Sequence, residues 1–145
     1  MATASQQNET DTTTPRKVIV KTMSVKRSTD TVFGFFKNVK NMETGRILRD
    51  ITKGEDGWWK FNTPAGEAKL KLNRVEQELG VIDHVFVGNG IVWHAYVRIV
   101  PNQHGSTASW TFIRPDGLDD RQFEEQLSAF DIEIEGWKNA LESVN

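Results

Sequence analysis

The chain has 145 residues, 37% of them hydrophobic and 26% charged, with a net charge of −2; this is the size and composition of one globular domain, not of a disordered chain. It contains no cysteine, which excludes disulfides, thiolate catalysis and cysteine-ligated zinc and fits a cytoplasmic location. No apolar run approaches the ~18 residues of a membrane helix, the N-terminus lacks the pattern of a secretory signal, and the overall charge gives no field favouring nucleic acid.

Residues 1–15 are Thr, Ser, Gln and Asn with two acids and no basic residue, a composition that predicts a disordered tail. The remainder, 16–145, reads as a single domain. Arg16–Lys26 is rich in β-branched residues and predicts a first strand. Ser28 is a good cap for a helix running to Val39, whose apolar face is Val32, Phe33, Phe36 and Val39. A second short helical turn closing near Gly45 is expected next. Strand-like segments then follow at Arg46–Lys53, Gly57–Asn62, Glu67–Val75, Gly80–Val87, Ile91–Val100 and Ser106–Arg114. Their separators are short, so consecutive strands should be antiparallel neighbours.

The last element carries the plainest pattern. Asp119 and Gln122 have the spacing of a capping box, and Leu118 can staple onto Phe123. Phe123, Leu127, Phe130, Ile134, Trp137 and Leu141 recur at alternating spacings of four and three, one apolar stripe on a helix predicted over Asp120–Ser143. Such a stripe needs a large sheet face to cover it, so the fold class is α+β.

Side-chain direction follows from hairpin register. Asn89-Gly90 predicts a two-residue type I′ turn, which pairs Phe86 with Trp93 and His84 with Ala95 on one face, and Val85 with His94 on the other. Phe61 should face Ala68, and Trp59 should face Leu70. The apolar face is the inner one: Trp59, Phe61, Leu70, Leu72, Phe86, Trp93, Trp110 and Phe112, with His84 and Arg74 as its titratable members. His84 could orient a ligand or move a proton, or be a core histidine held by a carbonyl. Arg74 could meet a carboxylate at a pocket mouth, or reach solvent. The His84–His94 pair would share a face only with a three-residue turn, which spoils the core, so no metal site is expected. No nucleophile elbow, P-loop or dinucleotide-binding glycine pattern occurs, and no cofactor is implied.

Charge is uneven: residues 16–75 hold 14 basic and 6 acidic side chains, and residues 115–145 hold 2 and 9. A basic surface for an anionic partner is one reading. The plainer reading is that an acidic helix and basic strands offset each other within one domain.

The strand running into STDTVFGFFKNVKNME (Ser28–Glu43), and GSTASWTFIRPDGLDDRQFEEQL (Gly105–Leu127) leading from the last strand into the capped helix, carry a resemblance over about residues 16–143. The chain resembles the START/Bet v 1-like (SRPBCC) superfamily and, within it, the polyketide cyclase/dehydrase and lipid-transport group. The resemblance implies a helix-grip fold: a seven-stranded curved antiparallel sheet wrapped around the C-terminal helix, with two short helices after strand 1. It also implies an apolar cavity between sheet and helix. The expected partner is then a small hydrophobic molecule, lipid-like or aromatic, lined by Trp59, Phe61, Leu72, His84, Phe86, Trp93, Trp110, Phe112 and Phe130, with no nucleic acid. Two alternatives stay open, since this fold hosts both binders and enzymes: a cyclase/dehydratase-like enzyme using His84 as acid or base, and a protein-interaction module with a closed cavity.

Overall fold

The computed structural model describes residues 12–143; the tail expected over residues 1–15 lies, up to residue 11, outside the described residues. The elements are β1 (Val18–Val25), α1 (Thr29–Lys37), a 3-10 segment (Val39–Gly45), β2 (Arg49–Lys53), β3 (Trp58–Thr63), β4 (Gly66–Glu76), β5 (Val81–Gly88), β6 (Ile91–Asn102), β7 (Gly105–Ile113) and α2 (Asp120–Ser143). The seven strands form one antiparallel sheet in the order β1-β7-β6-β5-β4-β3-β2. This is the helix-grip arrangement expected. None of the described helices is long and apolar enough to cross a membrane.

The hairpins take the anticipated register. Gly88 pairs with Ile91, Phe86 with Trp93 and His84 with Ala95, because Asn89 and Gly90 both adopt positive φ (53° and 74°), the geometry of a type I′ turn. Phe61 pairs with Ala68 and Trp59 with Leu70. His94 is therefore exposed on the convex face while His84 is buried on the concave one.

Two features of β4 and β5 depart from plain alternation. In β4 the register shifts between Leu72 and Arg74, a bulge that puts an extra residue into the strand and increases its local bend. It also re-aims Arg74, which the uninterrupted alternation placed inside: Arg74 is exposed and pairs with Glu76 at 2.5 Å. In β5 the Asp83 carboxylate accepts from the Val97 backbone N–H (2.8 Å) and pairs with Arg98 (2.6 Å). A side chain thus satisfies a backbone donor midway along the β5–β6 ladder.

The long helix is fixed at both ends and along one flank. At its start, the Gln122 N–H donates to Asp119 Oδ1 (2.8 Å) and the Asp119 N–H to Gln122 Oε1 (2.9 Å), a reciprocal capping box, with Leu118 and Phe123 buried beside it. The buried Arg114 guanidinium donates to the Leu118 carbonyl (2.5 Å) and pairs with Asp120 (3.1 Å). At the other end, Arg27 donates to the carbonyls of Leu141 (2.8 Å) and Glu142 (3.0 Å), which a helix C-terminus leaves open. Along the flank, Lys17 pairs with Glu124, and Lys21 with Asp131 at 2.9 Å. The acids of the helix thus meet bases on and just before β1, as the intradomain reading of the charge pattern required.

Candidate functional site

Strand register arranges the concave face in rows. One row is Trp59, Leu70, Phe86 and Trp93; a second is Leu72, His84, Ala95 and Phe112; Phe61 stands beside Ala68. Eight of the nine anticipated lining residues therefore share the concave side, and Phe130 faces them from α2.

They divide into two groups. Trp110, Phe112 and Phe130 form one aromatic stack with Phe36 of α1 and Trp137 of α2: Trp110–Phe130 centroids lie 5.4 Å apart, Phe112–Phe130 5.1 Å, Phe130–Trp137 5.2 Å and Phe36–Trp110 5.4 Å. Trp93 joins it by stacking on Phe123 at 5.9 Å and meeting Phe112 edge-on at 6.3 Å. These rings fill the space between sheet and helix, and their edge-to-face geometry adds to their burial. They clamp the helix.

The second group lies on β3–β5. Phe61 and His84 are buried there, but Trp59, Leu72 and Phe86 are only half-buried although they point to the concave side. The helix runs along β1 on one flank and the 3-10 segment on the other. An open depression of about 540 Å³ elsewhere, lined by Asp50, Lys60, Asn62, Glu67, Lys69 and Asn89 around Phe61, sits at the hairpin ends. Its walls mix these polar side chains with Phe61, Ala68 and Val87, and it is open to solvent.

His84 is the polar group of the β3–β5 surface. Burial lowers its pKa to about 4, against the opposing influence of Asp83 and a hydrogen bond to the Ile82 backbone. The ring is neutral at pH 7. A neutral imidazole carries one donor and one acceptor nitrogen.

The sequence reading missed three interior charged groups, Asp83, Arg114 and Glu133. Glu133 on α2 is 9% exposed, and burial raises its carboxyl to about 8. It stands three residues after Phe130 and four before Trp137, beside the stripe. There the 3-10 segment approaches so closely that a Cβ on Gly45 would lie 3.1 Å from Glu133 Cα and 2.7 Å from Trp137 Nε1, and a Cβ on Gly136 would lie 2.4 Å from the Thr44 carbonyl oxygen. Trp137 Nε1 donates across this junction to the Met42 carbonyl at 3.2 Å. Among the described residues, no group of three or more His, Asp or Glu comes together to hold a metal ion.

This architecture, a curved seven-stranded sheet gripping one long helix, is the fold of the START/Bet v 1-like superfamily. Solved structures with the same backbone include the Aha1 dimer protein from Colwellia psychrerythraea, with a TM-score of 0.69 and 14% identity over 87% of this chain and 96% of that one. DynU16, a protein of the dynemicin biosynthetic locus, gives a TM-score of 0.67 and 13% identity over 88% of this chain and 48% of that one. Ara h 8.0201 gives 0.62 and 12% over 86% and 97%. Identities at this level establish the shared fold and leave function to the site. No family model matches the chain, and no curated protein sequence does.

Proposed function

We propose that the protein binds a small hydrophobic molecule, lipid-like or aromatic, between the concave face of β3–β5 and α2. The observation that carries this reading is the incomplete burial of Trp59, Leu72 and Phe86 on the side of the sheet that faces the helix. Three large apolar side chains left part-wet inside a concavity are an unfinished core, and a ligand would finish it. The aromatic stack of Trp110, Phe112 and Phe130 forms the closed end of that space, Trp93 its wall, and His84 offers an acceptor to a ligand hydroxyl.

The test is a titration with N-phenyl-1-naphthylamine, an uncharged dye that brightens in apolar surroundings. Saturable brightening that weakens in Trp59→Ala and Phe86→Ala supports the reading. A linear, non-saturating response would remove it and leave the closed interaction module. A second reading, chemistry on the bound molecule, would use His84, the buried neutral base of the β3–β5 surface, as its acid or base. Its test is whether a bound ketone or hydroxyketone is recovered unchanged.

A further inference from the structure

The convex face of the sheet divides into two halves. Over β3 and β4 it is charged, with Lys60, Glu67, Lys69 and Lys71 pointing outward. Over β1, β7 and β6 the alternation is regular, and every second residue points outward. The outward residues of β1 and β7 include no ionisable group. Those of β6 include His94 and Arg98, and Arg98 is paired with Asp83 at 2.6 Å. In place of charges stand six of the nine large hydrophobic side chains exposed among the described residues: Val18, Val20, Val92, Tyr96, Val100 and Ile113, each between 41% and 54% exposed. Register makes them one patch. Val18 pairs with Ile113, Val20 with Thr111 and Thr111 with Tyr96, while Val100 pairs with Thr107.

A single exposed valine needs no account, but an apolar run across three strands marks a contact surface. The sheet edge sharpens the point. β1 is the last strand of the sheet, and edge strands are normally guarded by charged side chains, lysine above all. The lysines here do not guard this face. Lys21 lies on the concave side and pairs with Asp131 of α2, and Lys17 reaches Glu124 of the same helix.

We propose that this face is the interface of a two-fold dimer, in which β1, β7 and β6 of one copy pack face to face on the same strands of a second copy. Three features single out the chain itself as the occupant. In a two-fold contact the same patch is used by both copies, so a net charge on it would meet its like; this patch carries none that is unpaired on β1, β7 or Arg98. Its polar positions, Thr22, Ser24, Thr107, Ser109 and Thr111, are hydroxyls, which both donate and accept and so complement themselves. Its size suffices: β1 has 8 residues, β7 has 9 and β6 has 12. At ~3.4 Å per residue and ~4.8 Å between strands the face measures roughly 30 by 15 Å, on the order of 500 Å² per copy and about 1,000 Å² for the pair, the lower end of specific interfaces. A dimer of that area should be weak, with a dissociation constant on the order of 10 μM. The face lies on the opposite side of the sheet from the space proposed for a ligand, so the two readings stand or fall separately.

The experiment is sedimentation velocity on the full chain from about 1 to about 300 μM, a range that brackets that constant. The mass of the wild type should rise from one chain towards two and stop there, because a two-fold contact closes. Val20→Lys and Tyr96→Lys put a charge in the middle row of the patch and should weaken association at least tenfold. Both positions are exposed, so their unfolding curves should match the wild type. Ile132→Lys, at an exposed hydrophobic position on α2, should dimerise like the wild type. A wild type that stays a single chain at the highest concentration, species heavier than a dimer, undiminished association in both Val20→Lys and Tyr96→Lys, or an effect of Ile132→Lys equal to theirs would overturn the proposal.

Discussion

Replacing Glu133 by glutamine should make the protein more stable, and only above a definite pH. In the open chain the carboxyl has its ordinary value of 4.5; in the fold, burial raises it to about 8. Between those values the folded state holds a proton that the unfolded state has released, so stability falls as pH rises. At ~1.36 kcal/mol per pKa unit the full loss is about 5 kcal/mol, complete once the pH exceeds the folded value. His84 works in the opposite sense. Its pKa is lowered from 6.5 to about 4, so the unfolded state binds the extra proton and stability rises with pH between those values. The two slopes offset each other from 4.5 to 6.5, and from 6.5 to 8 the glutamate acts alone. Urea unfolding of wild type and Glu133→Gln at several pH values isolates the effect, because His84 is common to both. The variant should match the wild type near pH 4.5, gain steadily with pH, and lead by about 5 kcal/mol at pH 9, or roughly 10–15 °C in melting temperature for a domain of this size. A difference that does not change with pH, or a wild type more stable at pH 9, would refute the placement of the carboxyl in an apolar setting.

The other outcomes can be measured on the same footing. His84→Asn should remove the compensation between pH 4.5 and 6.5, so that stability falls with pH across that range, and leave the slope above 6.5 unchanged, which the same urea series reads. Trp137→Ala should cost about 3–5 kcal/mol, since its ring is buried against Phe36, Trp110 and Phe130; a loss under about 1 kcal/mol would mean the stripe does not clamp the sheet. Gly136→Ala should destabilise by about 1–3 kcal/mol because its Cβ would meet the Thr44 carbonyl at 2.4 Å, whereas Gly34→Ala, with nothing within 4 Å, should stabilise α1 by about 0.5–1 kcal/mol. Equal effects at the two glycines would contradict the close approach of the 3-10 segment to α2.

What could be read from the sequence was what periodicity controls. The type I′ turn at Asn89-Gly90 fixes the register of β5 and β6, and with it which of His84 and His94 points inward. The capping box at Asp119 and Gln122 and the stripe from Phe123 to Leu141 fix the start and the buried face of α2. Arg74 was misplaced because a bulge inserts a residue without any marker such as glycine, and alternation counts straight through it. Asp83 and Glu133 were passed over because a carboxylate counts as polar in any pattern. Asp83 is buried because a backbone N–H of β6 needed an acceptor. Glu133 lies off the apolar stripe and is enclosed by the 3-10 segment, whose path depends on Gly45 and Gly136 meeting across the chain. No local signal records a contact between residues so far apart.

The same contacts bear on the partial burial of Trp59, Leu72 and Phe86 on β3–β5. The position of α2 is set by Arg114 at one end, Arg27 at the other, the lysines of β1 along one flank and the glycine junction along the other. None of these lies in the space beside Trp59, Leu72 and Phe86. The helix therefore cannot settle onto that surface without breaking ion pairs or buried packing elsewhere, and the aromatic stack of Trp110, Phe112, Phe130 and Trp137 props it at a fixed height. On the proposed reading, filling the space over β3–β5 requires no rearrangement of the helix, so burial of a ligand's apolar surface there is not spent on moving the fold. Residues of the stack and the junction are held by the fold itself, and on the proposed reading it is the part-buried residues of β3–β5 that tune ligand choice.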